Sequence, residues 1–323
     1  MIPFEPQAWL KNGHLQTVAG AFMQRTFALA YSQERLFRVD RNSQLKGECH
    51  WQLGNGRDVP VIVIVHGLEG SSDSSYMRGI AEKAFERGFH AIRMNQRNCG
   101  GTERLTPTLY NSGMSGDYRA VLQELIAEGF EKIFFAGYSM GGNLVTKMAG
   151  EWGEAPPPQL RGVAAVCPAL DLSACANALE KTENYLYQRH FVKGLMTRYL
   201  RKAEMFPQRY LMNGFGPIRT VREFDDAITG PQFGYKDAEE YYQAAGAKRV
   251  IAQVRIPLLL ITAKDDPFVP YESFLRAKVA ENPSVQFVAP ENGGHCGFIS
   301  KWPGRERHWA EQRIVEQMAE LVR

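Results

Sequence analysis

KIFFAGYSMGGNLVTKMAG, residues 132 to 150, joins an apolar run to a segment of helical spacing through one serine set among small neighbours. A run as apolar as KIFFAGY suits a strand buried on both faces, and GGNLVTKMAG continues as a helix. Ser139 therefore stands at the apex of a sharp strand-to-helix turn. Such a turn strains the backbone at its apex and crowds the residues two before and two after, which is why Gly137 and Gly141 stand there. The strain exposes the hydroxyl above the carboxyl ends of the strands. The first amides of the new helix lack intrahelical partners and point towards it. One turn thus supplies a nucleophile and half of an anion site.

Strand-length apolar runs recur at VIVIV (61 to 65), FHAIRM (89 to 94), GVAAVC (162 to 167), PLLLIT (257 to 262) and VQFVA (285 to 289). Helical spacing fills most of the gaps, over 77–87, 118–128 and 144–150, and after the later strands over 271–280 and 305–321. Strand alternating with helix predicts an α/β fold, a mostly parallel central sheet flanked by helices. From 171 to 253 the rhythm stops, and tyrosine, phenylalanine and methionine are frequent without a strand-like run. We read 171–253 as a helical cap insertion over one end of the sheet, with 1–170 and 254–323 as the core. Most of its aromatic residues are expected to pack that insertion onto the core.

A serine hydroxyl is a poor nucleophile near neutral pH and needs a base, which needs an acid to orient it. PLLLIT runs into AKDDPFVP, where Asp266 leaves the sheet; Asp265 is expected to cap or brace the loop. VQFVA runs into PENGGHCGF, where His295 sits in a glycine-flanked loop. The order Ser139, Asp266, His295 is the order of the α/β-hydrolase fold. VIVIV ends in HGLEGSS, a loop placed to supply a second backbone donor, so the expected oxyanion hole is the N–H groups of Leu68 and Met140.

Composition narrows the alternatives. Among 323 residues, 38 lysines and arginines nearly balance 35 acidic residues, for a formal charge of +3, so nucleic acid is not an implied partner. The 5 cysteines form no C-x-x-C pair and do not alternate with histidines at zinc spacing. Neither metal nor organic cofactor is expected, and a reduced, cytoplasmic location is. The opening residues do not read as a signal peptide, and no window has the roughly 18 consecutive apolar residues of a membrane-spanning helix. Peripheral membrane contact stays open, and no protein partner is called for.

HGLEGSS, NQRNCGGT (95 to 102), GYSMGGN, AKDDPFVP and GGHCGF, with the opening WLKNGHLQT (9 to 17), together resemble the YheT-like branch of the α/β-hydrolases. The likeness runs over nearly the whole chain. It implies hydrolysis of carboxylic esters, with relatives acting on medium-chain acyl esters or phospholipids, and it carries Ser139 as nucleophile, Asp266 as acid and His295 as base. Asp171, in VCPALD, is the alternative acid in relatives that place it after an earlier strand. The expected substrate is a small acyl ester of short to medium chain. Thioester cleavage, acyl transfer to an alcohol, peptide hydrolysis and a non-catalytic ligand-binding homologue are the competing readings. His14, in GHLQT, is expected to bond backbone near the pocket mouth. Arg97, Asn98 and the paired glycines of NQRNCGGT are expected to brace the oxyanion loop, and Cys99 to have no catalytic part.

Overall fold

VIVIV can bury all five side chains only if both faces of its sheet are covered. In the computed structural model, which describes residues 2–29, 31–54, 56–212 and 214–323, all five are fully buried. The strands are β1 (Gln33–Asp40), β2 (Ser43–His50), β3 (Val61–Val65), β4 (His90–Asn95), β5 (Ile133–Tyr138), β6 (Leu160–Val166), β7 (Leu258–Ile261) and β8 (Val285–Val288). They form one sheet in the order β1-β2-β4-β3-β5-β6-β7-β8. β3 to β8 pair in parallel, whereas β1 with β2 and β2 with β4 are antiparallel.

The helices are α1 (Gly13–Phe22), α2 (Ser75–Glu86), α3 (Ser115–Ala127), α4 (Met140–Trp152), α5 (Leu172–Leu179), α6 (Tyr185–Met205), α7 (Val221–Phe224), α8 (Gly230–Gln232), α9 (Ala238–Ala245), α10 (Tyr271–Arg276) and α11 (Trp309–Val322). Side chains alternate across a strand, and β3 divides accordingly. Val61, Val63 and Val65 join the core under α3 and α4, while Ile62 and Ile64 join the core under α2 and α11. Each such side chain contributes roughly 1.5–3 kcal/mol of burial free energy. The mostly parallel sheet flanked by helices that the alternation of runs predicts is the one observed.

The hairpin β1–β2 was not foreseen. Only Phe37 of β1 is buried, and charged residues occupy most other positions, the pattern of a blunted edge strand. Between β6 and β7 the chain passes through α5 to α9 with no strand among the described residues. Tyr199, Tyr210 and Phe224 pack a small separate core there, with Leu109 and Leu195. No helix among the described residues is long and apolar enough to cross a membrane.

Candidate active site

Ser139 holds φ 53° and ψ −119° immediately before α4. Its N–H donates to the Val166 carbonyl on the neighbouring strand (2.8 Å), and its own carbonyl accepts from Asn143 N (3.0 Å). Gly137 and Gly141 are obligatory on contact grounds. A Cβ on Gly137 would lie 2.2 Å from the Gly141 oxygen, and one on Gly141 would lie 2.4 Å from the Val65 oxygen.

The acid and the base meet. Asp266 Oδ2 accepts from His295 Nδ1 at 2.8 Å, with the carboxylate side chain fully buried. The other carboxylate oxygen accepts from the N–H groups of Phe268 (3.0 Å) and Val269 (2.9 Å), which fixes its orientation. Because a carboxylate only accepts, Nδ1 carries the proton and Nε2 is left with its lone pair. Burial alone would lower the imidazole's pKa; the Asp266 carboxylate, followed by the Cys296 sulfur, outweighs it and carries His295 above its ordinary value. Asp171 is elsewhere engaged: it caps α5 through Ala174 N (3.2 Å) and pairs with Lys248 (3.0 Å).

No hydrogen bond joins the Ser139 hydroxyl to His295 in this conformation among the described residues. The two share neighbours instead. The Cys296 thiol contacts the same Val166 carbonyl (3.9 Å) that accepts from Ser139 N. The ring of Phe268, which lines the cavity alongside Ser139, lies 4.1 Å from the imidazole. Serine–histidine bonds are commonly long before substrate arrives and tighten in the reactive complex.

The HGLEG loop lies against the serine: a Cβ on Gly67 would be 3.1 Å from the Ser139 Cβ. Gly67 N donates to the Tyr76 hydroxyl (2.9 Å), and its carbonyl accepts from His66 Nδ1 (2.7 Å) and from Gly70 N (3.1 Å). Burial pulls His66 down to about 4, so it stays neutral, and its Nε2 accepts from Gln96 N (3.1 Å). Neither Leu68 N nor Met140 N is bonded to a protein acceptor among the described residues, and both residues line the cavity with Ser139.

NQRNCGGT braces this loop, but with a different division of labour from the one expected. Gln96 holds His66, and Asn95 Oδ1 accepts from Ser72 N (2.9 Å). The Asn98 carbonyl accepts from Arg198, whose guanidinium also grips Glu69 of the loop (3.1 Å to each oxygen). Arg97 turns away, to Asp117 (2.6 and 2.8 Å) and Asp40 (2.9 Å), which supply the carboxylates that a buried guanidinium requires, while Glu69 of the loop is taken by Arg198. Cys99 is fully buried, and burial pushes its thiol up to about 12, which makes it inert.

GHLQT, which had no chemical reading beyond His14, supports the histidine loop. His295 N donates to Thr17 Oγ1 (2.8 Å), and the Gln16 amide donates to Ile299 O (3.1 Å) and accepts from Ile299 N (2.9 Å). Gly294, at φ 55°, passes so close to α1 that a Cβ there would sit 2.2 Å from the Gly13 oxygen. Among the described residues, the His14 ring makes no hydrogen bond to backbone. It stacks on Tyr187, with Nδ1 3.3 Å from the hydroxyl, because α6 presents an aromatic face at that point. Asp265 braces the loop, its Oδ1 accepting from Gly294 N (2.8 Å).

A cavity of about 100 Å³ opens beside Ser139, walled largely by apolar groups such as Leu68, Leu172, Leu179, Phe191, Leu195 and Phe268. Asp225, Tyr241 and Tyr242 were not singled out from the sequence, yet they line it too. Asp225 opens a π-helical turn, Asp225–Thr229, and its Oδ2 accepts from the Tyr242 hydroxyl (2.8 Å). Burial raises this carboxyl to about 6. Only an unusual helical turn marks the position, and no periodicity reveals such a turn.

A strained serine above a parallel sheet, with an aspartate-held histidine on the loop after the last strand, defines the hydrolase class of α/β protein. The family model for the alpha/beta hydrolase fold matches residues 60–301. YheT of Escherichia coli K12, to which an esterase activity is ascribed, is 31% identical over 97% of this chain and 92% of its own. Mouse phospholipase ABHD3 is 30% identical over 93% of this chain and 74% of its own. Among solved structures, Est1E from Butyrivibrio proteoclasticus superposes with a TM-score of 0.55 at 17% identity, covering 90% of this chain and 99% of its own. The chain belongs to the α/β-hydrolase family, in its YheT-like branch.

Proposed function

We propose that the protein is a serine hydrolase that cleaves short- to medium-chain acyl esters through an acyl-enzyme. The 2.8 Å bond from His295 Nδ1 to a fully buried Asp266 carries this reading, supported by the strained backbone of Ser139 before α4. His295 Nε2 takes the proton of the Ser139 hydroxyl as the oxygen attacks the ester carbonyl. Asp266 stabilises the resulting imidazolium and keeps the ring in the tautomer that leaves Nε2 free. The negative oxygen of the tetrahedral intermediate is taken by the Leu68 and Met140 amides, each such donor contributing about 3 kcal/mol to the transition state. The imidazolium then protonates the departing alcohol. Water, deprotonated by the same nitrogen, releases the acid and restores the serine.

The segment 171–253 acts as the cap that shapes the acyl site, since α5 and α6 contribute Leu172, Leu179, Phe191 and Leu195 to its apolar wall. A cavity of about 100 Å³ is small beside the several hundred typical of drug-sized ligands, which supports short acyl chains over long ones. Purified protein should hydrolyse p-nitrophenyl butyrate and octanoate faster than the palmitate. Ser139→Ala should abolish both turnover and labelling by a fluorophosphonate while circular dichroism stays unchanged. A folded Ser139→Ala variant that keeps its activity would defeat the assignment. Adding alcohols as acceptors, or acyl thioesters as substrates, separates the competing acyl chemistries on the same residues.

A further inference from the structure

Two cysteines far apart in the chain converge on the imidazole. Cys167 is the first residue after β6 and Cys296 follows His295, 129 positions later, yet Cys296 N donates to Cys167 Sγ at 3.4 Å. Both hold positive φ, 45° and 62°, which a side-chain-bearing residue adopts only where its surroundings impose it. The two sulfurs and an imidazole nitrogen all lie within 4.8 Å of one another, and no other group of three or more histidine, cysteine or acidic side chains has that spacing among the described residues. The thiols' own contacts, to Gly294 O (3.7 Å) and Val166 O (3.9 Å), are long and weak, so the sulfurs are free to exchange them for a stronger partner.

We propose that Cys167, Cys296 and His295 form a three-ligand site for a thiophilic divalent ion such as Zn²⁺, and that its occupancy shuts off ester cleavage by consuming the imidazole. Zinc takes thiolate sulfur at about 2.3 Å and imidazole nitrogen at about 2.0 Å in a tetrahedron, which requires ligand atoms less than about 4 Å apart. The observed spacing comes within about 1 Å of that requirement, and the fourth position is left to water. Two sulfurs and a nitrogen select zinc-like ions over magnesium or calcium, which take oxygen ligands. Asp266 already orients the ring as a carboxylate orients a metal-bound histidine. Binding converts two thiols to thiolates and releases two protons to solvent, with no change of oxidation state. Whichever ring nitrogen the ion takes, the loss is the same: Nε2 can no longer accept from Ser139, or Nδ1 can no longer be held by Asp266. The binding itself stands apart from the proposed chemistry; only the inhibition rests on it.

Reduced, chelator-treated protein titrated with Co²⁺ should develop a thiolate-to-cobalt charge-transfer band at one ion per chain, bleached by Zn²⁺. Zinc should inhibit p-nitrophenyl butyrate hydrolysis in step with that occupancy, and EDTA should restore the rate. Cys167→Ala and Cys296→Ala, each compared with its own EDTA-treated rate, should lose the band and need at least about tenfold more zinc for inhibition. Where alanine misfolds, Cys296→Ser should lose the band as well. Ser139→Ala should keep it, so the metal site remains testable even if the serine proves not to be the nucleophile. Absence of the band in the parent, a band and zinc response unchanged in both cysteine variants, or inhibition reversed by dithiothreitol and not by EDTA would overturn the site.

Discussion

Ser139 stays in a backbone region that costs a non-glycine residue about 1–3 kcal/mol because Gly137 and Gly141 let the turn close around it. The base is tuned by an equally local arrangement. His295 must be neutral to accept the serine's proton, so activity is lost as pH falls through the imidazole's pKa in the folded protein. Asp266 and Cys296 move that value above the free histidine's. The acid limb of kcat/KM should therefore lie above about 6.5, higher than the composition of the loop alone would suggest. Asp266→Asn should lower kcat by orders of magnitude, on the scale of 10⁴ where the wrong tautomer results, and move the remaining limb down. A wild-type limb at or below the free-histidine value, read from a pH–rate profile, would contradict the role of Asp266.

α1 is an element whose task is set by a loop nearly three hundred residues away. Asn12 caps it through His14 N (2.9 Å) and Leu15 N (3.2 Å), and its Gln16 and Thr17 then hold the backbone that carries His295. Thr17→Val keeps the volume and removes the hydroxyl that accepts from His295 N, so it tests positioning rather than packing. It should lower kcat by about ten- to a hundredfold with KM little changed, and Thr17→Ser should recover most of the rate; an unchanged kcat would show that α1 is only a support for the fold. None of this was legible in GHLQT, because the partners of these side chains are backbone groups, which leave no residue signature at the other end. The central strands were legible because burial on both faces writes a continuous apolar run, and the candidate serine, aspartate and histidine were sought on the loops that follow such runs. β1 escaped for the opposite reason: one exposed, charged edge leaves only Phe37 to mark it. The inner wall of the cavity escaped because Asp225 and Tyr242 look, in sequence, like any acid and any packing aromatic.

At the scale of the molecule, segments around residues 13–17, 66–70, 137–141, 263–269 and 293–298 meet at the carboxyl ends of the parallel strands, and that convergence requires the covering helices to hold their places. One buried ion cluster ties three of the covering segments together. Glu311 of α11 accepts from Lys83 of α2 (2.6 Å) and from Arg25 of the N-terminal segment (2.6 and 2.9 Å), and its side chain is 4% exposed. α2 packs close against this cluster at Gly79, where a Cβ would overlap both the Arg25 and the Glu311 head groups at 2.3 Å. Burial opposes ionisation of Glu311, but Lys83 and Arg25 outweigh it and hold the carboxyl at about 2. Since the folded value lies below the unfolded one, the stabilisation is complete above about pH 4.5 and is lost as pH falls towards about 2. The shift corresponds to about 3 kcal/mol, and removing the carboxylate also leaves two buried cations uncompensated, a loss of about 3–5 kcal/mol. Glu311→Gln should accordingly lower the urea-unfolding free energy by that amount at neutral pH, with the gap to wild type closing as the comparison is repeated at successively lower pH. Equal stability of the two proteins at neutral pH would mean that apolar packing under α2 and α11 holds this face without the ions.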